Sequence, residues 1–431
     1  MMGVYHTWLF ELKIWVSPVA IGSIWALCSV YYGFFYGVIG CAWGIMKKRG
    51  VSYWALPCIW VCIEWLRAQG PLGNTGGNVG YVCVHFPWML QVASLGGLWS
   101  LTGVVVALNV GVLAIILRRY RWKVEGSLCL ILIGILAWGG YRLHHIPPSN
   151  QTLEIALFQG NHPQSMKLES ENANGIKQDY LRLARHVVSV ASPDLLVWPE
   201  TIVNRLSVSD QQFMTDVRSL VSKKTALLFG TPVRDKGLFY NAAVLVTPEK
   251  IEQYRKQRLM PFGEYWPFKK ALLWLGLDEV VGEDFTESRT SSPLKTSYFS
   301  LGTAICLEGI YPQFSQEMTR KGADFLVNIA NNAWFLDSKA ASQLFEMNRV
   351  RAVECNRYMV QCANTGLSGV ITPYGQINRV TQLNRRAIVI QKIKIGLPQS
   401  VYVTTGDAVV AGAFVMLIVM WWWMAKPRDI C

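Results

Sequence analysis

The segment SLGTAICLEG, residues 300–309, decides the fold of the larger half of this 431-residue chain. A run of small and apolar residues leads to Cys306, and Glu308 follows two positions later. Such a run has the length and composition of a buried strand that ends at a polar loop. The carboxyl ends of strands are where α/β sheets open their ligand crevices. A thiol in this setting is either a structural small hydrophobe or a nucleophile, and the segment alone leaves both readings open.

Two other segments place charged residues at predicted strand ends. The stretch DLLVWPET at 194–201 runs into Glu200, and YRKQRLMPFGEYWP at 254–267 carries Lys256 in a charged strand, with Glu264 just beyond. Taken singly, Glu200 fits a solvated loop carboxylate better than a catalytic group, and Lys256 fits a basic strand face better. A nucleophilic thiol requires a base or a cation beside it, and these residues are of the types that supply both.

Around these segments, residues 150–400 alternate between strand-like and helix-like patterns. Such alternation predicts an α/β domain with a buried sheet. The predicted strands are 153–159, 194–198, 226–233, 241–247, 298–306, 324–329, 358–363 and 387–394, and the predicted helices are 171–190, 208–223 and 338–357.

The rest of the chain is much more apolar. Hydrophobic residues make up 52% of the sequence and charged residues 16%, against roughly 25% charged in an average soluble chain. Apolar runs occupy 15–43, 51–66, 89–117, 127–141 and 408–424. A membrane-spanning helix needs about 20 apolar residues, so the two short runs require flanking residues. The alternative, buried helices of a soluble protein, fits five such runs poorly.

Basic residues between the apolar runs predict the orientation of the chain in a membrane. The net charge is +13, and Lys and Arg cluster at 47–49, 118–123 and 426–428, beside apolar runs. This placement favours an anionic membrane surface over nucleic acid as the partner. Under the positive-inside rule the three clusters are cytoplasmic, and the intervals 68–88 and 143–405 lie outside.

The predicted topology puts Met1 outside without an upstream helix to carry it there. Residues 1–14 are semi-apolar and contain no secretory cleavage signal. We therefore expect that the chain is shortened at its start, or that residues 1–14 are the end of a lost helix. The ten cysteines include no CxxC pair and no Cys/His metal spacing, so we expect neither a disulfide framework nor a metal site.

The order Glu200, Lys256, Cys306, each at a strand end, resembles the Glu-Lys-Cys triad of the nitrilase, or carbon–nitrogen hydrolase, superfamily. Together with the membrane segments, the chain resembles the apolipoprotein N-acyltransferase family over about residues 1–425. The matching pieces are VWPET at 197–201, KQRLMPFGEYWP at 256–267, ICLE at 305–308, NIANNAWF at 328–335, EWLR at 64–67 and the stretch at 80–109.

This resemblance implies an integral membrane α-helical bundle joined to a periplasmic αββα domain. The implied boundaries are membrane helices at 1–145, a nitrilase-like catalytic domain at 146–404, and a last membrane helix with a short tail at 405–431. The family normally has eight membrane helices, whereas this chain has five apolar runs. Two local departures are Asn332, where the family usually has Asp, and Leu307, where an aromatic residue is common.

The resemblance also implies a role for each site residue. Glu200 is the general base for Cys306, and Lys256 stabilises the thiolate and then the oxyanion. The remaining implied roles are an oxyanion-hole N–H from the backbone of Leu307, support or amine orientation by Glu264, and bracing of the Cys306 loop by Glu308.

The implied reaction transfers a fatty acyl group from a phospholipid to the α-amine of a diacylglyceryl-modified N-terminal cysteine on an apolipoprotein. It passes through a Cys306 thioester and needs no cofactor or metal. The implied location is the bacterial inner membrane, multi-pass, with the catalytic domain in the periplasm and no nucleic-acid partner. A membrane-anchored amidase and an inactive lipid-binding scaffold are the alternatives.

Aromatic residues near these motifs are candidates for an apolar wall or, equally, for the core. They are Trp198, Phe262, Tyr265, Trp266, Trp334 and Phe335, with Trp266 and Phe268 expected in an exposed lid that contacts lipid. In the membrane half, Glu64 and Arg67 are three residues apart, so an ion pair at a helix end and a lipid-headgroup role are both open.

Overall fold

The structure, a computed structural model, describes most of the chain. The described residues are 18–49, 53–70, 72–117, 122–145, 147, 149, 151–203, 207–261, 263–266, 269, 284–290, 292–336 and 338–425. Phe262 and Phe268 lie outside them, as do the basic positions 118–121 and 426–428.

Apolar helices form the first part of the described chain. They are α1 (Pro18–Lys48), α2 (Leu56–Arg67), the short α3 (Pro87–Leu90), α4 (Ala93–Ile116) and α5 (Trp122–His144). Among the described helices, two stretches, Ile21–Lys48 and Ala93–Ile116, are long and apolar enough to cross a membrane by length and composition. Helix α2 has 12 residues, about 18 Å of rise, which is well short of a hydrocarbon core of about 30 Å.

The second part contains the strands and the remaining helices. The strands are β1 (Gln151–Gln159), β2 (Leu195–Val197), β3 (Ala226–Asp235), β4 (Leu238–Val246), β5 (Ile251–Arg255), β6 (Leu294–Lys295), β7 (Ser300–Ile305), β8 (Phe325–Ala330), β9 (Met359–Ala363), β10 (Gly369–Ile371), β11 (Ile377–Val380) and β12 (Ala387–Ile395). The helices are α6 (Gln164–Leu168), α7 (Ala173–Ala191), α8 (Gln211–Leu220), α9 (Pro312–Arg320), α10 (Ala340–Cys355), α11 (Val401–Thr405) and α12 (Ala408–Ala425). The predicted strands and helices of this part are confirmed. Strands β6, β10 and β11 were not predicted.

The described strands form two six-stranded sheets. Their orders are β12-β1-β2-β3-β4-β5 and β11-β10-β9-β8-β7-β6. In the first sheet β1, β2 and β3 are parallel, and β5 runs in the same direction because it is separated from β3 by one antiparallel strand. In the second sheet β7, β8 and β9 are parallel. The carboxyl ends of β2 and β5 therefore share one edge, and those of β7 and β8 share another.

Alternation of side chains along the strands produces a four-layer domain. Leu195 and Val197 join a buried cluster that includes residues of both sheets, whereas Leu196 and Trp198 join a cluster with α7 and α8. This period of two is what a strand covered on both faces requires. Helices α9 and α10 pack against the second sheet. The helix–sheet–sheet–helix prediction is confirmed.

The helical part contacts the two-sheet domain at a junction beside α4. Helix α4 is kinked at Gly96 and Gly97, and Gly97 has a φ of 68°, a left-handed conformation that favours glycine. A Cβ at Gly97 would lie 2.5 Å from the ring of Tyr402 on α11. Nearby, Asp407 accepts hydrogen bonds from the indoles of Trp65 at 2.7 Å and Trp99 at 2.9 Å.

Candidate active site

Glu200 lies just beyond the carboxyl end of β2 and is 6% exposed. Its Oε1 accepts a hydrogen bond from Asn241 Nδ2 at 2.8 Å, and its Oε2 accepts one from the backbone N–H of Asn331 at 2.9 Å. The loop can take this path because residue 230 is glycine: a Cβ there would lie 2.5 Å from Glu200 Cα. Glu200 is thus fixed by donors from both sheets.

Lys256 follows β5 directly and is 2% exposed. Its Nζ donates to Glu264 Oε1 at 2.8 Å and lies 3.4 Å from Glu200 Oε1. Burial disfavours the ammonium, but the carboxylates of Glu264 and Glu200 more than offset this, so the pKa of Lys256 is raised. Asn241 donates to both carboxylates through Nδ2. One ammonium therefore serves two carboxylates, which a single amide bridges.

Cys306 begins a 3-10 helix, Cys306–Ile310, at the end of β7. Its φ of 56° is left-handed, a conformation that costs a non-glycine residue about 1 kcal/mol or more. Burial raises the pKa of the Cys306 thiol, the Glu200 carboxylate raises it further, and the Lys256 ammonium opposes both. The thiol is therefore held in its protonated form, beside a carboxylate that can take its proton.

Glu308 is fully buried two residues after Cys306. Oε2 accepts from the backbone N–H of Ile305 and from the Tyr254 hydroxyl, both at 2.9 Å. Oε1 accepts from the N–H groups of Gln257 at 2.6 Å and Arg258 at 3.0 Å. Burial raises the pKa of Glu308 to about 7, although Lys256 and these N–H groups oppose the rise. Glu308 thus ties the Cys306 turn to the loop that carries Lys256.

Several residues of this cluster were not predicted from the sequence. They are Asn241, which bridges the two carboxylates; Asn331, which donates to Glu200; and Asn328, whose Nδ2 donates to the Cys306 carbonyl at 3.1 Å. A signal existed for the last two, because Asn328 and Asn331 are polar residues at the end of the apolar strand β8. Nothing local distinguishes Asn241 from an ordinary polar strand residue.

The structure separates the predicted aromatic contacts. Trp198 is fully buried and packs with Phe213 and Phe229, so the suggestion of a lipid or lid contact is wrong for this residue. The strand period turns its side chain away from Cys306 and into the helix-covered face. Trp334 is 39% exposed on a 3-10 helix after β8, whereas its neighbour Phe335 is buried.

The remaining aromatic positions are on the segment after Lys256. Trp266 is partly buried, and its backbone N–H donates to Asp284 Oδ1 at 3.2 Å. Tyr265 is also partly buried. The lid contact predicted for Phe268 lies outside the described residues.

Glu64 and Arg67 are both buried, and the structure gives them separate partners. Glu64 accepts hydrogen bonds from Trp60, Thr102 and the backbone of Val79. Arg67 donates to the carbonyl of Gly76 and to Asn78. Their place inside the helical part indicates a structural role rather than the predicted i, i+3 pair at a helix end.

The arrangement has the parts of a covalent acyl-transfer site. A thiol, a carboxylate within hydrogen-bonding reach and an ammonium meet at neighbouring strand ends, which is the logic of an activated nucleophile. Within the described ranges, no group of three His, Cys, Asp or Glu side chains is arranged to hold a metal ion.

Comparison with known proteins agrees with this chemistry. Residues 154–402 match the carbon-nitrogen hydrolase family, and residues 1–111 match the apolipoprotein N-acyltransferase N-terminal domain. The apolipoprotein N-acyltransferase of Geobacter metallireducens is 31% identical over 389 residues, which cover 86% of this chain and 74% of that protein. That of Azotobacter vinelandii is 28% identical over 90% of this chain and 80% of its own length.

Among solved structures, a carbon-nitrogen hydrolase from Helicobacter pylori covers 65% of this chain and 96% of its own, with a TM-score of 0.45 and 16% identity. The sequence matches extend over the apolar helices and the two-sheet domain alike. The chain belongs to the apolipoprotein N-acyltransferase family and is an enzyme built on a nitrilase-like domain.

Proposed function

We propose that the enzyme transfers a fatty acyl group from a phospholipid to the α-amine of a diacylglyceryl-cysteine at the N-terminus of an apolipoprotein, through a thioester on Cys306. The observation that carries this proposal is the burial of Glu200 and Lys256 together beside the Cys306 thiol. The names of the relatives point to the lipoprotein substrate.

In the first half-reaction, Glu200 takes the proton of the Cys306 thiol while the sulfur attacks the ester carbonyl carbon of the phospholipid. Lys256 Nζ and the backbone N–H of Leu307 stabilise the oxyanion that forms. The carbon–oxygen ester bond then breaks, and the proton held by Glu200 passes to the departing lysophospholipid oxygen. The fatty acyl group remains on Cys306 as a thioester.

In the second half-reaction, the α-amine of the lipid-modified cysteine attacks the thioester carbonyl. Glu200 takes one amine proton, the carbon–sulfur bond breaks, and the thiolate recovers a proton from Glu200. The product is an amide. The same base serves both halves, while Glu264 holds Lys256 in place through the 2.8 Å contact.

Transfer to an amine, rather than to water, requires a site from which water is largely excluded. Trp334, exposed beside the end of β8, would contribute an apolar contact for the acyl chain. The relatives favour the transferase over both alternatives, the membrane-anchored amidase and the inactive lipid-binding scaffold.

We also propose that the apolar helices form a multi-pass bundle in the inner membrane and that the catalytic domain faces the periplasm. Lys47, Lys48 and Arg49 at the end of α1 support a cytoplasmic position for that end. The proposed boundaries are 1–145, 146–404 and 405–431, because residue 151 begins β1 and residue 408 begins α12. Helix α2, too short to span alone, would depend on its neighbours and on flanking residues.

The test uses purified full-length protein in detergent micelles, a fluorescent phospholipid, and a peptide with an N-terminal diacylglyceryl-cysteine. We expect the intact protein mass to gain one fatty acyl group with phospholipid alone, and to lose it as the peptide becomes an amide. A protein that never gains the acyl mass, or that releases ammonia from small amides instead, would contradict the proposal.

A further inference from the structure

A second lysine is buried next to the active site and is not part of the Glu-Lys-Cys triad. Lys167 lies on α6, in the segment that follows the carboxyl end of β1, and is 4% exposed. A lysine is almost never fully buried without a partner. The partners of Lys167 therefore indicate what the residue does.

The contacts of Lys167 lead to the base in two steps. Its Nζ donates to Asn331 Oδ1 at 2.8 Å, and the backbone N–H of Asn331 donates to Glu200 Oε2 at 2.9 Å. The side chain of Asn331 is held at its other atom as well, because Nδ2 donates to Gln164 Oε1 at 2.7 Å. Asn364 Nδ2 adds a second donor to Asn331 Oδ1 at 3.1 Å.

Charge links the same residues. The carboxylate of Glu200 and the imidazole of His162 are the titratable groups that interact with Lys167. Burial lowers the pKa of Lys167 to about 7, and Glu200 raises it in opposition. Below neutral pH the Lys167 side chain is therefore an ammonium. The groups that face Glu200 in turn are Lys256, Lys167, the Cys306 thiol, the Asn241 amide and the Asn331 N–H.

We propose that Lys167 is a positioning residue for the general base: it fixes Asn331, so that the Asn331 N–H holds Glu200, and its ammonium favours the ionised carboxylate. Glu200 then lies between two lysines with different tasks. Lys256 is shared with Glu264 and faces the reacting atoms, whereas Lys167 acts from the opposite side through Asn331. This inference rests on the proposed function, because Glu200 is the base only if Cys306 is the nucleophile.

Two variants separate the contact from the charge. Lys167→Met removes both, and Lys167→Gln removes the charge but retains an N–H donor for Asn331. The control is Lys177→Met. Lys177 is another buried lysine, lies on α7 and pairs with Asp210 at 2.7 Å. The measurement is the single-turnover rate of acyl transfer from fluorescent phospholipid to the full-length enzyme in micelles, followed by intact mass between pH 5 and pH 9.

We expect Lys167→Met to lower the maximal acylation rate about 10- to 100-fold, because the base is no longer held in register, with the apparent phospholipid KM within about twofold of wild type. Loss of the nearby positive charge disfavours the ionised carboxylate of Glu200. The low-pH limb of the rate profile, here called the acid limb, therefore moves to higher pH in both variants. Lys167→Gln keeps more of the maximal rate than Lys167→Met. Lys177→Met leaves the limb in place.

An unmoved acid limb in a folded Lys167→Gln enzyme overturns the inference, as does an equal movement in Lys177→Met. If Lys167→Met does not fold, Lys167→Gln alone decides the matter through its acid limb. Failure of the proposed function looks different, because then the wild-type enzyme itself gains no acyl group.

Discussion

Two of the buried clusters in the part of the chain that the structure describes pair glutamate with a basic side chain, and a comparison of the two shows what a reactive site needs. The reactive cluster is Glu200, Lys256 and Glu264. The junction pair is Arg351 and Glu354, both fully buried on α10. Arg351 Nη2 donates to Glu354 Oε1 at 2.8 Å and Nε lies 2.7 Å from Oε2, so one cation serves one carboxylate on two sides. Glu354 Oε1 also accepts the Leu98 N–H of α4 at 2.6 Å.

The two clusters differ in the number of carboxylates per cation and in the elements that contribute their residues. The junction pair has one cation for one carboxylate, comes from one helix at a spacing of three residues, and also holds α4 through Glu354 Oε1. The reactive cluster has one ammonium for two carboxylates, and its members come from two strand ends and a loop. A surplus carboxylate beside a thiol is what makes proton transfer possible. Burial and charge pairing, common to both clusters, do not by themselves make an active site.

The largest effect is expected when the nucleophile beside the reactive cluster is removed. Cys306→Ala should reduce acyl transfer by about 10³-fold or more, because no thioester can form. The measurement is amide product from fluorescent phospholipid and lipopeptide. Cys129→Ala, which removes an exposed thiol on α5, is the control and should retain full activity. Wild-type activity in Cys306→Ala would show that Cys306 is not the nucleophile and that the reactive cluster does not serve catalysis.

Removing the cation of the reactive cluster should cost rate. Lys256→Met deletes one oxyanion donor, so we expect a fall of about 10²–10³-fold in the acylation rate. The rate is measured by single-turnover acylation and folding by thermal melting in micelles. A protein that melts much earlier but reacts normally would place Lys256 with the structural pair.

Removing the anion of the junction pair should instead cost stability. Glu354→Gln leaves the buried Arg351 without its carboxylate, a change that typically costs about 3–5 kcal/mol. We expect a clear fall in the melting temperature, while activity per folded molecule stays within about twofold of wild type. If the variant keeps its melting temperature but loses activity, the junction pair serves catalysis and its structural role is wrong.

The junction has a second contact, between Gly97 and Tyr402, which can be tested without changing a charged residue. Gly97→Ala places a Cβ 2.5 Å from the Tyr402 ring at a left-handed backbone position, so we expect about 1–3 kcal/mol of destabilisation. Gly103→Ala on the same helix is the matched control, since its Cβ would make an ordinary 3.5 Å contact with Val61. Equal melting temperatures of the two variants would remove Gly97 from the junction.

The smallest expected effect concerns Glu308, a buried carboxylate held by four donors. Its folded pKa of about 7 lies above the ordinary value of 4.5, so the folded state binds the extra proton between these values. Stability from this group is full below pH 4.5 and is lost as pH rises through about 7. The melting temperature of wild type minus that of Glu308→Gln should therefore fall by about 2–4 °C from pH 5 to pH 8. A difference that rises with pH contradicts this sign.

The sequence predicted the catalytic domain well because its central strands are continuous apolar runs. Strands β10 and β11 were not predicted because neither has a clear hydrophobic pattern. The first has three residues, and the second, INRV, is exposed and partly polar. Lys256 was expected inside a charged strand, whereas β5 ends one residue earlier at Arg255.

The triad residues could be named because each lies at a predicted strand end within a distinctive local sequence. Lys167 and Asn241 could not be named, since they reach Glu200 only through tertiary contacts. Arg351 and Glu354 have a readable spacing of three, but nothing in the sequence indicates that both are fully buried. For Trp198 the sequence left the apolar wall and the core equally open, and the strand period that turns its side chain away from Cys306 decides for the core.

The hydrogen bond between Trp99 and Asp407 can form only late in the synthesis of the chain. Asp407 accepts the indole of Trp99, which precedes it by 308 residues, so at about 5–20 residues per second the tryptophan emerges roughly 15–60 s earlier. During that interval the early helices lack the acceptor that fixes them, and the whole two-sheet domain is made in between. The helical part therefore reaches its final packing only after the two-sheet domain has been synthesised and Asp407 has followed it.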